Sequence, residues 1–220
     1  MQLTSQGFEI HRRVLPEAEL KKFRIICDQL IKDAGTTCVR HIDHLSDPIK
    51  NLSTNPCLLN LIPAHLSLVR SILFDKTISK NWPVAWHQDL TIALKHKIEL
   101  PAYAPWSVKD GVPHVQPPTE LLQSMTTIRI HLDDTPAENG ALRVIPASHQ
   151  LGKIPSKDIP IHSARSIHIC ECQAGDILTM SPLILHSSPR STHPSRRRVI
   201  HFEYAPLKKL DSRLQWHSSP

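Results

Sequence analysis

Two residues that could bind a metal lie close together in the segment Trp86-His87-Gln88-Asp89. In an extended strand, residues i and i+2 project from the same face, so we expect His87 and Asp89 to point in one direction. A neutral imidazole and a carboxylate form two-thirds of a 2-His-1-carboxylate facial triad, the usual ligand set of non-haem Fe(II) oxygenases. The pair alone is weak evidence, because the chain has 15 histidines and a solvated or hydrogen-bonded histidine is commoner.

The third ligand is predicted to be His186, which ends an apolar strand that begins at Gly175-Asp176. Strands that are distant in sequence converge inside a β-barrel or jelly roll, so a third ligand far along the chain fits such a fold. Three protein ligands on one side of a metal leave positions for a chelating co-substrate and O2.

Arg197 lies eleven residues after His186, at the start of a β-branched and aromatic strand. A buried arginine offers a rigid bidentate fork to a carboxylate, and a diacid that chelates iron at one end needs such an anchor at its other end. Strand alternation sends Arg197 to one face and Arg198 to the other, with Arg196 on the face of Arg198. The alternative is that all three arginines form a solvated basic loop, and the neighbouring ligand set favours the anchor.

Arg129 has two interpretations. It lies on a predicted strand, with Thr127 and His131 on the same face. It is either a charge inside the pocket that meets the co-substrate or an acidic substrate, or an outward-facing or ion-paired strand arginine. Lys76 and Lys109 could also serve the pocket, but we expect both to be surface lysines.

The elements that must position these residues follow from hydrophobic periodicity and turn chemistry. A helix is predicted over 16–35, with Pro16 in its first turn and Gly35 at its end, and a second helical stretch over 55–69 is kinked or divided by Pro63. Strands are predicted at 6–14, 69–76, 84–94, 125–133, 141–146, 165–170, 176–181 and 197–205. Many short strands preceded by helices indicate a mainly β fold, a jelly roll with flanking helices.

The chain of 220 residues is interpreted as one domain, 1–220, with a helical part at about 15–68 and a jelly-roll core at about 69–206. The segment 95–122 differs from the rest because it has five prolines and little periodicity. Long loops without secondary structure are usually functional in compact domains, so we interpret this segment as a lid or substrate loop. The alternative is a surface insertion.

Composition argues against several classes of protein. The net charge is +6, but the basic residues are scattered except at 196–198, so a nucleic-acid partner is disfavoured. The five cysteines have no CxxC spacing and are interpreted as free thiols in a reducing compartment. No apolar stretch suits a signal peptide or a membrane span, so we expect a soluble, cytoplasmic protein.

From about Gly7 to Ala205 the chain resembles the phytanoyl-CoA dioxygenase-like branch of the Fe(II)/2-oxoglutarate oxygenases. The segments that carry the resemblance are FDK at 74–76, NWPVAWHQD at 81–89, PWSVKDGVPHVQPP at 105–118, RIHLDD at 129–134, ENGALRVIPASH at 138–149 and GDILTMSPLILHSS at 175–188, followed by RRRVIHFEYA. Two segments depart from the family pattern. The loop after the distal histidine often carries Asn-x-Ser but here reads Pro-Arg-Ser-Thr, and the usual Pro-Gly-Ser-His is Pro-Ala-Ser-His.

The resemblance implies a double-stranded β-helix, the cupin-like form of the jelly roll. It implies that His87, Asp89 and His186 bind iron, that Arg197 binds the C5 carboxylate of 2-oxoglutarate, and that Ser188 turns its hydroxyl toward the co-substrate. Gln88 also matches a commonly retained position, although strand geometry points it away from the metal.

The predicted activity is hydroxylation of an unactivated C–H bond of a small organic substrate, with Fe(II) as cofactor and 2-oxoglutarate and O2 as co-substrates. The reaction would release succinate and CO2. In related halogenases a small residue replaces the carboxylate ligand, so the presence of Asp89 favours hydroxylation. The alternative is a metal-binding β-barrel without catalysis, such as a sensor. Nothing in the sequence selects among substrates.

Overall fold

Antiparallel β-sheets form the centre of the protein. A computed structural model describes residues 2–193 and 195–218. The strands in this part of the chain are β1 (Phe8–His11), β2 (Cys38–Arg40), β3 (Ser67–Lys76), β4 (Val84–His87), β5 (Ile92–Ala93), β6 (Trp106–Lys109), β7 (Val112–Val115), β8 (Thr126–His131), β9 (Leu142–Val144), β10 (His168–Cys170), β11 (Ile177–Met180), β12 (His186–Ser188) and β13 (Arg197–Ala205).

The strands form a major and a minor sheet that enclose a cavity, together with a third, smaller sheet. The major sheet has the order β1-β11-β8-β13-β3-β2, and the minor sheet has the order β10-β9-β12-β4. Strands β5, β7 and β6 form the third sheet. The prediction of a mainly β jelly roll with flanking helices is therefore confirmed.

Seven short to medium α-helices accompany the sheets in the described residues. They are α1 (Gln2–Gln6), α2 (Glu17–Ala34), α3 (Ile42–Leu45), α4 (Asp47–Ser53), α5 (Pro56–Leu59), α6 (Thr119–Gln123) and α7 (Ile159–Ser163). Helix α2 follows Pro16 and ends at Gly35, whose left-handed φ of 63° lets its N–H donate to the carbonyl of Ile31. Even α2, the longest of these helices, is not apolar enough to cross a membrane.

Helix α2 covers the outer face of the major sheet. Its buried residues Leu20 and Phe23 share a hydrophobic core with Ile200, Phe202 and Tyr204 of β13. Side chains alternate along a strand, so the cavity between the sheets is lined by Arg197, Val199, His201 and Glu203 of β13. All nine residues of β13 are buried, which shows that both of its faces are covered.

The predicted strand 84–94 is wrong as a single element, because β4 ends at His87 and β5 begins at Ile92. Asp89 therefore lies outside a strand. Its backbone N–H donates to the carbonyl of Pro182 at 2.9 Å instead of joining a ladder. This contact with a loop of the chain, and not strand alternation, sets the position of the carboxylate relative to His87.

The apolar run from Asp176 to His186 is also not one strand. Strand β11 ends in the major sheet at Met180, and β12 begins in the minor sheet at His186. Pro182 lies in the intervening turn and has no N–H to donate to a ladder. The chain thus crosses between sheets immediately before the predicted distal ligand.

Two further segments differ from expectation. Only residues 56–59 of the predicted helical stretch 55–69 are α-helical, and β3 already begins at Ser67. The segment 95–122 contains the hairpin β6–β7, which pairs with β5, and then helix α6, so it is not structureless. Its role as a lid stays a prediction.

Gln88 joins two loops behind the cavity, as its outward orientation predicted. Its amide donates to the carbonyls of Gly152 and Leu183 and accepts from the N–H of Ile154, at 2.7–2.8 Å. The side chain is buried, so these bonds are shielded from water.

Replacing Gln88 by alanine should lower the free energy of unfolding by about 2–4 kcal/mol, because buried backbone groups lose their partners. Urea unfolding of Gln88→Ala measures the change. Gln123→Ala, at an exposed position, is the matched control. A loss under about 1 kcal/mol would contradict the assigned role, since one unsatisfied buried group alone exceeds it.

Candidate active site

A cavity of about 160 Å³ lies between the major and minor sheets and is lined by both. His87 ends β4, Asp89 follows it, and His186 begins β12. His87 and His186 are opposite each other in the antiparallel pair of β4 and β12. The three predicted ligands therefore lie on the same wall of one cavity, although almost a hundred residues separate His87 from His186 in the sequence.

The ligand atoms of the three side chains converge. Asp89 Oδ1 lies 3.7 Å from Nε2 of His87, and Asp89 Oδ2 lies 3.7 Å from Nε2 of His186. All three ligand atoms lie within 4.8 Å of one another. Two ligands bound at right angles to one metal are about 3 Å apart at bond lengths of about 2.0–2.2 Å. The three ligand atoms are therefore close enough together to bind one metal ion.

Backbone contacts orient both imidazoles for metal binding. Nδ1 of His87 donates to the carbonyl of Ala85 at 2.8 Å, and Nδ1 of His186 donates to the carbonyl of Ile184 at 2.9 Å. A hydrogen bond at one ring nitrogen fixes the tautomer and leaves the lone pair at the other. Each Nε2 is therefore available toward Asp89 and the centre of the site.

The charges of the cluster also suit a divalent metal. Burial lowers the pKa of His186 to about 4, despite the opposing effect of Asp89, so this imidazole is neutral near pH 7. Burial disfavours ionisation of Asp89, but His186 and His201 hold the pKa of its carboxyl well below the usual range. Neutral nitrogen donors and one carboxylate are the donor set that Fe(II) takes in oxygenases, so the residues fit iron.

Arg197 lines the same cavity and is 7% exposed. Its guanidinium donates to the carbonyls of Gly140 and Asn139 and, through Nη2, to the hydroxyl of Ser188 at 3.2 Å. Gly140 has a φ of +72°, and a Cβ there would lie 2.7 Å from the carbonyl oxygen of Pro189. Only glycine fits this turn without displacing the backbone that holds Arg197.

Ser188 joins Arg197 to a second cation, Lys76. The hydroxyl of Ser188 donates to the carbonyl of Gly140 at 3.0 Å and is 3.1 Å from Nζ of Lys76. The lysine also donates to the carbonyl of Trp82 at 2.7 Å. Burial, with a contribution from Arg197, lowers the pKa of Lys76 to about 7.

The expectation that Lys76 is a surface lysine is wrong. Lys76 ends β3 opposite Arg197, which places it on the cavity side. This pairing joins strands more than a hundred residues apart, so local sequence could not reveal it. Lys109 is half-buried and does not line the cavity. Its Nζ is 3.4 Å from the hydroxyl of Thr91.

The three neighbouring arginines separate as strand alternation predicted. Arg198 forms ion pairs with Asp133 at 2.7 Å and Asp28 at 2.8 Å, and Arg196 pairs with Asp75 at 3.0 Å. All three carboxylates lie outside the cavity, and neither arginine lines it. Of the three, only Arg197 faces the predicted metal ligands.

The family model of phytanoyl-CoA dioxygenase (PhyH) matches residues 3–199. The chain belongs to the phytanoyl-CoA dioxygenase family. It is therefore a 2-oxoglutarate-dependent oxygenase, with iron as the cofactor and 2-oxoglutarate as a co-substrate. No curated protein matches the chain significantly.

Solved structures share the fold of this phytanoyl-CoA dioxygenase family member. The carbocyclase SnoK from nogalamycin biosynthesis has a TM-score of 0.72 and 19% identity, over 94% of this chain and 82% of SnoK. HygX from Streptomyces hygroscopicus, solved with nickel and 2-oxoglutarate, has a TM-score of 0.65 and 16% identity, over 93% and 84%. Apo EctD from S. alaskensis has a TM-score of 0.72 and 15% identity, over 94% and 75%.

Arg129 of this family member faces the cavity, so the outward-facing interpretation is wrong. Its Nη1 is 3.1 Å from Nδ1 of His201, and its guanidinium carbon lies 5.7 Å from the centre of the Phe74 ring. In the described parts of the chain no carboxylate lies within ion-pair distance of Arg129, so the ion-paired interpretation also fails. Arg129 therefore adds to the cavity wall a positive charge that has no ion-pair partner among the described residues.

A polar group that was not predicted from the sequence lies at the other end of the cavity. Glu203 accepts hydrogen bonds from Arg70 and from Nε2 of His201, and all three residues line the cavity. The signal was available in part, because His201 and Glu203 are in phase with Arg197 on the predicted strand. Arg70 comes from β3, and only the strand pairing reveals it.

Asp89→Ala should lower the affinity for Fe(II) by more than about 100-fold, because loss of an outer-shell partner alone costs 10–100-fold and this change removes a direct anionic ligand. Anaerobic titration with Fe(II), followed by the iron content after dialysis, measures the effect. Asp47→Ala, on the exposed start of α4, is the matched control. Equal retention of iron by the two variants would show that the cluster is not the metal site.

Proposed function

We propose that this protein hydroxylates an unactivated C–H bond of a small organic molecule and releases succinate and CO2. The observation that supports this most directly is the presence in one cavity of a 2-His-1-carboxylate cluster and a cationic cradle without a carboxylate partner. The cradle consists of Arg197, Lys76 and Ser188. A diacid that chelates a metal through one end and needs a cation at the other would fit this combination.

Bound iron supplies the position at which O2 reacts and 2-oxoglutarate is decarboxylated. His87, Asp89 and His186 would hold it from one side and leave the cavity side open. Arg197 would bind the C5 carboxylate through its planar fork, with Ser188 and Lys76 beside it. Phe74 and Val199, the next inward-facing pair along β3 and β13, would pack against the methylene groups.

Arg129 is proposed to face the end of the co-substrate that approaches the metal. It lies between the cradle and the Arg70–Glu203 pair and has no ion-pair partner among the described residues. A co-substrate carboxylate that binds near Arg129 would therefore interact favourably with this guanidinium, which no carboxylate of the described residues already pairs with. The retained carboxylate ligand Asp89 favours hydroxylation over halogenation.

The direct test is formation of succinate after O2 is admitted to anaerobic protein loaded with Fe(II) and 2-oxoglutarate. An oxygenase forms succinate slowly even without its primary substrate, and formation should stop in Asp89→Ala. A metal-binding protein without catalysis, the alternative function, would bind the metal yet form no succinate. That result would refute the proposal.

Arg197→Ala should raise the 2-oxoglutarate Michaelis constant by about 30-fold or more, because truncating one partner of a buried charge pair costs about 2–5 kcal/mol. Arg197→Lys should rescue poorly, since lysine offers a point charge and not a planar fork. Arg198→Ala and Arg196→Ala should change the constant much less. Succinate formation against 2-oxoglutarate concentration measures all four variants. A large effect in Arg198→Ala alone would reverse the assignment.

The affinity for 2-oxoglutarate should fall as pH rises above 7, the pKa of Lys76 in the free protein. A bound carboxylate favours charged Lys76, so binding takes up a proton, and the affinity declines by up to about tenfold per pH unit. Anaerobic calorimetry between pH 6.5 and 8.5 measures this. Lys76→Gln should flatten the dependence, whereas Lys97→Gln, on the surface, should retain it. A steep dependence in Lys76→Gln would assign the effect to another group.

A further inference from the structure

Four cross-strand pairs of β3 and β13 face the cavity, one after another. They are Lys76–Arg197, Phe74–Val199, Ile72–His201 and Arg70–Glu203. Successive pairs are two residues apart, or about 6–7 Å along a strand. The proposed co-substrate site uses the first pair as its anion cradle and the second as an apolar wall. The last pair, at the far end of the row, has no role in that scheme.

Arg70 and Glu203 form a buried pair, 6% and 2% exposed. Both Arg70 Nη2 and His201 Nε2 donate to the same oxygen of Glu203, Oε1. The other oxygen, Oε2, has no hydrogen-bond partner among the described residues, and Glu203 lines the cavity. Nε of Arg70 is likewise buried without an acceptor in this part of the chain. The free carboxylate oxygen therefore leaves this buried pair with an unused hydrogen-bond acceptor at the edge of the cavity.

This end of the cavity is unsuited to a second metal, although Asp89, His201 and Glu203 place ligand atoms within 4.8 Å of one another. Nε2 of His201 donates to Glu203, and Arg129 approaches Nδ1 at 3.1 Å, so both nitrogens of the imidazole are already engaged. Arg70 balances the charge of Glu203. The carboxylate oxygens of Glu203 and Asp89 that lie within 4.8 Å of each other instead mean that a group bound to Glu203 would be next to the metal ligand Asp89.

The charges at this end indicate which group would bind. A cation would be repelled by Arg70 and Arg129, which both line this end of the cavity. An anion would meet the carboxylates of Glu203 and Asp89. A neutral hydroxyl can donate to Oε2 of Glu203 without adding charge. Hydrogen bonds to ionised partners are also stronger than those between neutral groups.

We propose that the Arg70–Glu203 pair is the recognition site for the primary substrate and binds a neutral hydroxyl of a polyol- or sugar-like molecule. This inference rests on the proposed function. The C–H bond presented to the metal is then on, or next to, the carbon that carries the hydroxyl. That bond breaks, one atom of O2 forms the new C–O bond, and the other enters succinate as 2-oxoglutarate loses CO2.

The test is calorimetric binding of named probes to anaerobic protein loaded with Fe(II) and 2-oxoglutarate. Glycerol, myo-inositol and glucose are the neutral probes, and hexanoate and choline are charged comparators. At least one neutral probe should bind, and it should raise succinate formation above the rate without a probe. Tighter binding of hexanoate or choline than of every neutral probe, or no binding of any neutral probe, would overturn the proposal.

Glu203→Gln should weaken binding of the neutral probe by about 10–100-fold, since it removes the charged acceptor. The affinity for 2-oxoglutarate, measured in the same samples, should change far less. Because this variant leaves a buried arginine unpaired and could unfold, the double variant Arg70→Met with Glu203→Gln removes both charges. It should also lose the probe. Glu99→Gln, at a surface carboxylate that is 72% exposed, is the matched control.

Binding of the neutral probe that persists in both Glu203 variants would overturn the assignment of the pair. Failure of this inference is distinguishable from failure of the proposed function. The wild-type protein forms succinate without any probe if the proposed function is right. Probe binding and its loss in the variants report only on the Arg70–Glu203 site.

Discussion

The structure depends on a single strand, β13, that is buried on both faces. Alternate residues of this strand pack against helix α2 or line the cavity, and its neighbours β3 and β8 fix its register on both sides. A slip of one residue would place Arg198 in the cavity and move Ile200 from the hydrophobic core toward the metal site. Packing of the helix therefore sets the direction in which every functional group on β13 points.

The distribution of charge separates the cavity from the rest of the protein. Arg196 and Arg198 are neutralised by carboxylates outside it, whereas Arg197, Lys76 and Arg129 have no carboxylate within ion-pair distance in the described residues. Burial lowers the pKa of each of these three groups, which means that their charged forms are held at some expense of stability. An anionic ligand would relieve this unfavourable electrostatic arrangement, so the charges that lower stability in the free protein also favour binding of a diacid.

Local sequence was informative where periodicity alone decides the outcome. The phase of β13 separated Arg197 from its neighbours, and the jelly roll followed from the order of the strands. Sequence was insufficient where distant segments meet. A hydrogen bond to the carbonyl of Pro182 positions Asp89. Strand pairing with Arg197 positions Lys76. The ion-pair partner of Glu203 is Arg70, which lies on another strand. These contacts join residues up to 133 positions apart, and no local pattern encodes such pairing.

The turn at Gly140 bears on how freely this chain can change. The loop after His186 departs from the family pattern. It is nevertheless anchored by main-chain hydrogen bonds, because the N–H groups of Thr192 and His193 donate to the carbonyl of Glu138 at 2.8 and 3.2 Å. Main-chain bonds of this kind do not depend on the identity of the side chains that carry them. Gly140, in contrast, has no permissible replacement without backbone displacement. Side-chain changes in the loop should therefore leave its main-chain anchoring intact, whereas any side chain at position 140 would displace the backbone that holds the guanidinium of Arg197.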